Sequence, residues 1–350
     1  MLAVPVVIAL YFQQQSLEQV IHLSILTGIL FVVALSCVFR VTHHADKLAH
    51  LLGEPYGTLI LTVAATIIEV TIMVTMQSHG NVNQTFVRDT IAATMMITVG
   101  GALGLSMLIG GSFHKAQQVN AEGAMVYLGL LVPLALLILV LPNFTTSTSA
   151  PTFAASQAAF LALTSFALYL IFLFVQTHRN KNLFDDSAAG KSYPANTSIK
   201  QVMLLSFLGL GVNLVLVVLL AEKMAVWIDI GLEERSVPKA LGGVLVALLV
   251  LMPEVLASIN AARKNRLQRS INVALGSGLA TLSLSVPVML VWSSIHQSEM
   301  VLGLPARDIV MLVTTFWVAN IALSTGRPNM MQGAVLATLF IGYVFLIIFP

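Results

Sequence analysis

The chain has 350 residues, of which 57% are hydrophobic and 9% charged, and its mean hydropathy is +0.92. Soluble domains carry roughly 25% charged residues, so this composition excludes a soluble globular protein and predicts a polytopic membrane protein. The net charge of +2 is too small to indicate a nucleic-acid partner. A single cysteine, Cys37, excludes an internal disulfide framework and a cysteine-built metal site, which leaves oxygen and imidazole ligands and makes hard cations the candidate guests.

The first apolar segment, within residues 1–16, is too short to span a membrane unless the natural start lies upstream, so we expect a partial or additional helix there. No Lys or Arg precedes Arg40, so the charged region of a secretory signal peptide is missing. Ten longer apolar runs follow. The predicted spans are residues 17–41, 54–78, 86–110, 122–142, 153–176, 200–221, 237–262, 269–295, 306–324 and 332–349.

A polar stretch separates the first five spans from the last five, and it is typical of a solvated linker. We therefore predict a first repeat over 17–176, a linker over 177–199 and a second repeat over 200–350. Because each group has an odd number of spans, the second group enters the membrane from the opposite side, as in many secondary transporters. The predicted fold is an all-α polytopic membrane protein with two inverted five-helix repeats, with one extra N-terminal helix as an open alternative.

The basic residues predict the orientation of the chain in the membrane. When the loops are assigned alternately to the two sides, one side receives twelve Lys and Arg and the other receives five. By the positive-inside rule the linker is cytoplasmic and the C-terminus is outside, in a bacterial inner membrane. We expect residues 222–236 to form a solvated loop on the outer side, with an interfacial helix as the alternative.

Two acidic residues interrupt long apolar runs: Glu69 within Leu59–Met76, and Glu254 within residues 239–262. An acid at a helix centre costs about 2.5–3.5 kcal/mol on insertion scales, so it normally faces a bundle interior and marks an ion or proton route. Each glutamate follows a glycine by twelve residues, which indicates a repeat. Neither run contains an internal basic partner, which favours a functional role over a structural one.

Oxygen-bearing groups accompany both glutamates. Hydroxyls lie at steps of three or four residues on the helix of Glu69, so they share its face, and others lie near Glu254 or on the following span. Pro253 has no amide hydrogen and frees the carbonyl four residues before it. The alternative is that each hydroxyl only bonds its own backbone or a neighbouring helix. The auxiliary candidates are Thr62, Thr66, Leu249, Ser258, Ser277 and Thr281.

Three histidines and an acid, His43, His44, Asp46 and His50, follow the first span. His44 and His50 are not well spaced for one helix face, so a metal cluster is the least favoured of three interpretations. A pH sensor is more plausible, because imidazole titrates near neutrality. Ordinary interfacial histidines remain the first expectation.

Several sequence motifs carry a resemblance to a known family. The chain resembles the ChaA-type bacterial calcium/proton antiporters of the calcium:cation antiporter superfamily over essentially its whole length. The similar motifs are residues 44–57, 88–90, 100–104, 268–272, 276–281 and 324–327. The resemblance implies two inverted five-helix repeats, often after one extra helix, and a site shared by cation and proton that contains one acid from each repeat. Those acids correspond to Glu69 and Glu254.

The chain departs from the superfamily pattern at two places. Many cation/proton exchangers carry Gly-Asn shortly before each acid, where this chain has Ala65-Thr66 and Val250-Leu251. Its linker holds only Asp185 and Asp186, a weak version of the acidic linker of many relatives. These departures put the auxiliary ligands and cation recruitment by the linker in question.

The expected activity is Ca²⁺ export in exchange for H⁺ by alternating access, with both ions competing for Glu69 and Glu254. A Na⁺ or K⁺/proton antiporter on the same site is the near alternative, and a gated cation channel is the alternative from another class. No HExxH sequence or paired-aspartate motif lies in a span, so we expect no enzyme and no cofactor. The expected partners are inorganic cations, protons and the lipid bilayer.

Overall fold

The computed structural model describes residues 20–52, 56–78, 84–114, 117–184, 199–234, 238 and 240–349, and within these ranges all regular structure is helical. Among the described residues, seven continuous helical stretches are long and apolar enough to cross a membrane, and some of them join two helices through a π-helical segment. Three shorter apolar segments are Gly28–Val41, Val63–Ser78 and Gln201–Val217. The prediction of an all-α polytopic membrane protein is confirmed, and segment 1–16 lies outside the described residues.

Helices fill both predicted groups of spans. Those of the first group are α1 (Val20–Leu52), α2 (Tyr56–Ser78), α3 (Phe86–Met95), α4 (Gly104–Phe113), α5 (Ala121–Leu139) and α6 (Ala155–Phe174). Those of the second are α7 (Ile199–Glu234), α8 (Ala240–Arg263), α9 (Leu267–Ala280), α10 (Val286–His296), α11 (Ala306–Ser324) and α12 (Met330–Ile348). The π-helical segment Met96–Leu103 joins α3 to α4, Thr281–Ser285 joins α9 to α10, and Val175–Arg179 extends α6. Single 3₁₀ turns cover Leu141–Phe144 and Lys181–Leu183.

Two helices are longer than hydropathy predicts. Helix α1 continues past residue 41 to Leu52, and α7 continues past residue 221 to Glu234. The expectation of a solvated loop over residues 222–236 is therefore wrong for residues 222–234. Polarity rises in both extensions, but neither contains a proline. The next prolines are Pro55 and Pro238, and proline disfavours the helical conformation in the residue before it.

One residue of the predicted linker, Phe184, packs against helices. Phe184 is buried, and its ring centroid lies 5.5 Å from that of Tyr127 and 5.9 Å from that of Phe172. The Nδ2 of Asn272 donates to the carbonyl of Phe184 at 2.7 Å. The expectation of a solvated linker is therefore corrected for Phe184, while residues 178–182 are exposed as expected and residues 185–198 lie outside the described ranges.

The helix positions repeat along the chain with one offset. Glu69 and Glu254 are 185 positions apart (254 minus 69), and the same offset carries the bounds of α5, Ala121–Leu139, onto those of α11, Ala306–Ser324. It also carries the first residue of one π-helical segment, Met96, onto the first residue of another, Thr281. A common period for acids, helices and π segments supports the predicted internal repeat, and its inversion stays a prediction.

Contacts divide the chain into two compact units, each with helices from both halves. Unit 1 comprises Met1–Phe86 and Ser192–Pro253, and unit 2 comprises Val87–Lys191 and Glu254–Pro350. In unit 1, α1, α2 and α7 pack against one another. The division falls within α8, between Pro253 and Glu254, so this helix contributes to both units.

In unit 2, the π-helical segment of each half packs against helices of the other half. The π segment Met96–Leu103 packs against α11 and α12, and Thr281–Ser285 packs against the corresponding helices of the first half, α5 and α6. Helix α4 crosses α12 closely, because a Cβ placed on Gly104 would lie 2.7 Å from the amide nitrogen of Ala337. Such an approach requires a residue without a side chain.

Two Arg-Asp pairs lie at one end of unit 2. The Nη2 of Arg88 lies 2.8 Å from Asp89 Oδ1, and the Nε of Arg307 lies 3.1 Å from Asp308 Oδ1. Arg88 also donates to the carbonyl of Gly303 at 3.1 Å. Arg88 and Arg307 are two of the five basic residues that the alternate assignment of loops predicts on the outer side, and their common location agrees with that prediction within this unit.

Candidate cation and proton site

Glu69 lies on the buried face of α2 in unit 1. Its side chain is 4% exposed, and the neighbouring positions Ile72 and Met73 are also buried. Val63 and Ile67 on the same helix are exposed, so the acid lies away from the face available to lipid. Thr66 is half-buried one turn before Glu69, and the side chain of Thr62 lies outside the described residues.

Glu254 lies on α8 in unit 2, immediately after Pro253. Its side chain is 7% exposed. Although Pro253 lies inside it, α8 runs without a break from Ala240 to Arg263. Because proline has no amide hydrogen, the carbonyl of Leu249 lacks the donor that an ordinary helix supplies. A backbone oxygen one turn before Glu254 is therefore open to another donor or to a cation.

Ser258, one turn after Glu254, is held by hydroxyls from two other helices. Its Oγ lies 3.0 Å from the Oγ of Ser106 on α4 and 2.7 Å from the Oγ of Ser270 on α9. It also donates to the carbonyl of Ser270 at 3.1 Å. A hydroxyl has one hydrogen and two lone pairs, so three such contacts use its full capacity. The structure thus gives this candidate ligand protein partners.

In the third span of each half, Thr98 and Thr281 are buried in unit 2, and Ser277 is half-buried. Thr281 Oγ1 donates to the carbonyl of Ser277 at 3.3 Å, and Thr98 Oγ1 donates to the carbonyl of Thr94 at 2.8 Å. A Cβ placed on Gly278 would lie 3.1 Å from Thr98 Oγ1. The structure therefore brings Thr98 of the first half alongside the segment that contains the candidates Ser277 and Thr281.

Ser283 is a buried hydroxyl that the sequence-based candidate set omits. It lies in the π-helical segment Thr281–Ser285, and its Oγ has no hydrogen-bond partner among the described residues. Thr98 precedes it by the same 185 positions that separate the two glutamates. That offset is the signal in the sequence that identifies Ser283. An unpaired buried hydroxyl costs about 1–3 kcal/mol and is open to a water molecule or an ion.

The histidines of α1 do not form a metal site within the described residues. No group of three or more His, Cys, Asp or Glu suited to a metal ion occurs there, and the side chains of Asp46 and His50 lie outside them. The ring of His44 packs directly against Gly209 of α7. Burial lowers the pKa of the His44 imidazole, and the nearby Lys47, His43 and Arg40 lower it further.

Comparison with known proteins adds a family and relatives of similar length. The profile of the sodium/calcium exchanger protein family matches residues 20–178 and 205–349. The sodium-potassium/proton antiporter ChaA of Escherichia coli is 36% identical over 344 residues, which cover 97% of this chain and 92% of that protein. A protein named as an ionic transporter, y4hA of Sinorhizobium fredii, is 38% identical over 314 residues, covering 89% and 86%.

A solved structure has the same fold. The crystal structure of the H⁺/Ca²⁺ exchanger CAX aligns with a TM-score of 0.74 over 98% of this chain and 86% of that one. Its sequence identity is 15%, so the likeness concerns the fold alone.

Proposed function

The chain belongs to the sodium/calcium exchanger family, and from that premise we propose that it exports Ca²⁺ in exchange for protons by alternating access. Membership in this family makes the chain a multi-pass membrane protein of a cation-exchanging class, and its relatives are transporters. The observation that carries the proposal is the pair of buried carboxylates, Glu69 and Glu254, separated by the offset at which the helices repeat.

In this proposal the two glutamates form one site. Together they match the charge of one Ca²⁺, and Ca²⁺ takes six to eight oxygen ligands. Additional oxygens come from the hydroxyls of Thr62, Thr66 and Thr281 and from backbone carbonyls such as that of Leu249. Without a cation, burial and mutual repulsion disfavour two negative charges, so the carboxylates bind protons instead. Competition between cation and protons then couples their movements.

A second candidate function is Na⁺ or K⁺/proton exchange at the same site. The Escherichia coli relative is named a sodium-potassium/proton antiporter. In addition, the two positions shortly before Glu254 are the apolar Val250 and Leu251, which supply no side-chain oxygen. A shell with fewer oxygens favours a monovalent ion over Ca²⁺, since Ca²⁺ requires many hard ligands.

The experiment is ion-driven proton flux in vesicles that contain the purified protein. An imposed pH gradient should drive Ca²⁺ uphill in the wild type, and Glu69→Gln or Glu254→Gln should abolish the flux. Glu122→Gln is the matched control, because Glu122 is an exposed carboxylate at the start of α5 and should be dispensable. Exchange that survives either site substitution contradicts the site, and the same assay with Na⁺ and K⁺ decides the driven ion. Flux without uphill movement would indicate a channel.

A further inference from the structure

Three buried serines from three helices meet one turn beyond Glu254. Ser258 of α8 lies within hydrogen-bond distance of both Ser106 of α4 and Ser270 of α9, and none of the three side chains is exposed. We call Ser106, Ser258 and Ser270 the serine junction. All three belong to unit 2, as does Glu254.

The hydrogen bonds of the serine junction connect α8 to α4 and α9. When Ser258 donates to the carbonyl of Ser270, it accepts from the hydroxyls of Ser106 and Ser270, and no lone pair remains for a cation. The hydroxyl of Ser258 therefore links three helices and does not bind the cation itself.

Ser258 carries the first polar side chain after Glu254 on α8. Pro253 removes one helical hydrogen bond just before Glu254. The three residues after Glu254, which are Val255, Leu256 and Ala257, have no polar side-chain atoms, so Ser258 offers the next side-chain donor or acceptor along α8. Residues four apart lie on the same face, one turn from each other, so a restraint at Ser258 acts directly on the face that carries Glu254.

We propose that the serine junction positions Glu254 for cation binding, with Ser258 as a positioning residue. This inference rests on the proposed function of Glu254 as a ligand. The junction fixes the rotation of residues 254–263 about the axis of α8, and farther along the helix the Nε2 of Gln117 holds the carbonyl of Ala262 at 2.8 Å. Because a displacement of about 1 Å at a functional group can cost up to about 10²-fold in activity, small rotations of this segment matter.

The test is Ser258→Ala in vesicles, assayed with Ca²⁺, Na⁺ and K⁺. We expect the KM for the driven ion to rise about tenfold or more, because a misplaced carboxylate binds the cation more weakly. Protons should then compete more effectively with the cation for Glu254. The pH optimum of exchange should therefore move to higher pH together with the rise in KM. A purely structural role would lower the yield of folded protein and leave the KM and pH profile of the folded fraction unchanged.

The matched control is Ser165→Ala. Ser165 is also fully buried in unit 2, but among the described residues its Oγ bonds only carbonyls of its own helix, Leu161 at 2.6 Å and Ala162 at 3.3 Å. Its replacement should leave the KM unchanged. An equal rise in KM in this control would overturn the inference.

If Ser258→Ala does not fold, two further variants test whether the serine junction positions Glu254. Ser106→Ala and Ser270→Ala each remove one partner of Ser258, and each should raise the KM by a smaller factor than Ser258→Ala. Cation-dependent thermal stabilisation of the purified protein gives the same answer without transport, since it reports cation affinity. A wild-type KM and pH profile in the folded variants would overturn the junction. A wild type without ion-driven proton flux would instead overturn the proposed function.

Discussion

His44 has a local environment that favours the neutral imidazole. Its ring packs against Gly209, its Nδ1 has no hydrogen-bond partner among the described residues, and its charged neighbours on α1 are Arg40 and Lys47. Burial is the largest cause of its lowered pKa, followed by Lys47, His43 and Arg40. Protonation would place a positive charge beside other positive charges and bury an unpaired donor.

This environment predicts a pH dependence of stability. Because the folded-state pKa lies below the ordinary value of 6.5, the unfolded state binds more protons once the pH falls below about 6.5. Stability should therefore be full above that pH and fall as the pH falls. His44→Gln should reduce the loss in thermal-unfolding scans between pH 7 and pH 5. His296→Gln, at an exposed position at the end of α10, is the control and should leave the loss unchanged. An identical pH dependence in His44→Gln and wild type would contradict the prediction.

The burial of the two glutamates can be predicted from the sequence, whereas the hydrogen bonds of the serine junction cannot. A lone acid in an apolar run indicates its own burial, because lipid rejects the charge, and both Glu69 and Glu254 are buried. Ser106 is 152 positions from Ser258, and no pattern within either segment indicates that they bond. The role of Ser258 therefore depends on which helices pack beside α8.

At the scale of helices, the crossing of α4 and α12 depends on two glycines. A Cβ on Gly104 would lie 2.7 Å from the amide nitrogen of Ala337, and a Cβ on Gly333 would lie 2.8 Å from the carbonyl oxygen of Gly104. Each glycine therefore lies against the backbone of the opposite helix. Gly129 on α5 is the opposite case, since a Cβ there would meet no described heavy atom within 4 Å.

Alanine substitutions should separate these two environments. Gly104→Ala and Gly333→Ala should each lower stability by about 1–3 kcal/mol, because the helices must move apart or strain. Gly129→Ala should be neutral or stabilising by up to about 1 kcal/mol, because alanine favours helix over glycine. Thermal unfolding of the purified protein measures all three. If Gly129→Ala were the most destabilising variant, the helix crossing would be wrong.

The ends of the helices show what hydropathy can and cannot locate. It identifies the apolar part of α1 and α7 but ends both too early, because a helix continues through polar residues until a breaker occurs. The π-helical segments Met96–Leu103 and Thr281–Ser285 have no signature in the apolar pattern, because a wider turn does not change residue polarity.

At the scale of the whole molecule, the distribution of basic loops predicts which side each loop faces. Lys181 precedes the second half on the side with more basic residues, and Glu299 lies in the loop between α10 and α11 on the opposite side. Both side chains are exposed, and the natural cysteine, Cys37, is buried. Single cysteines at these two positions therefore report topology directly.

The expected outcome is labelling of one position only. In a Cys37→Ser background, a membrane-impermeant maleimide applied from outside should label Glu299→Cys but not Lys181→Cys until the membrane is permeabilised. The reverse pattern would invert the orientation, and labelling of both positions from outside would contradict the predicted alternation of spans.

By itself, the sequence determined the membrane class, the helical content, the two buried glutamates and their common spacing, because hydrophobicity, helix propensity and the cost of a charge in lipid act locally. Only the tertiary structure decided that each compact unit draws helices from both halves, that Phe184 packs against α5 and α6 and accepts a hydrogen bond from α9, and that Ser258 bonds Ser106 and Ser270. Those features depend on which distant helices become neighbours, and packing between helices selects the neighbours through the shape of both surfaces, which no single segment contains.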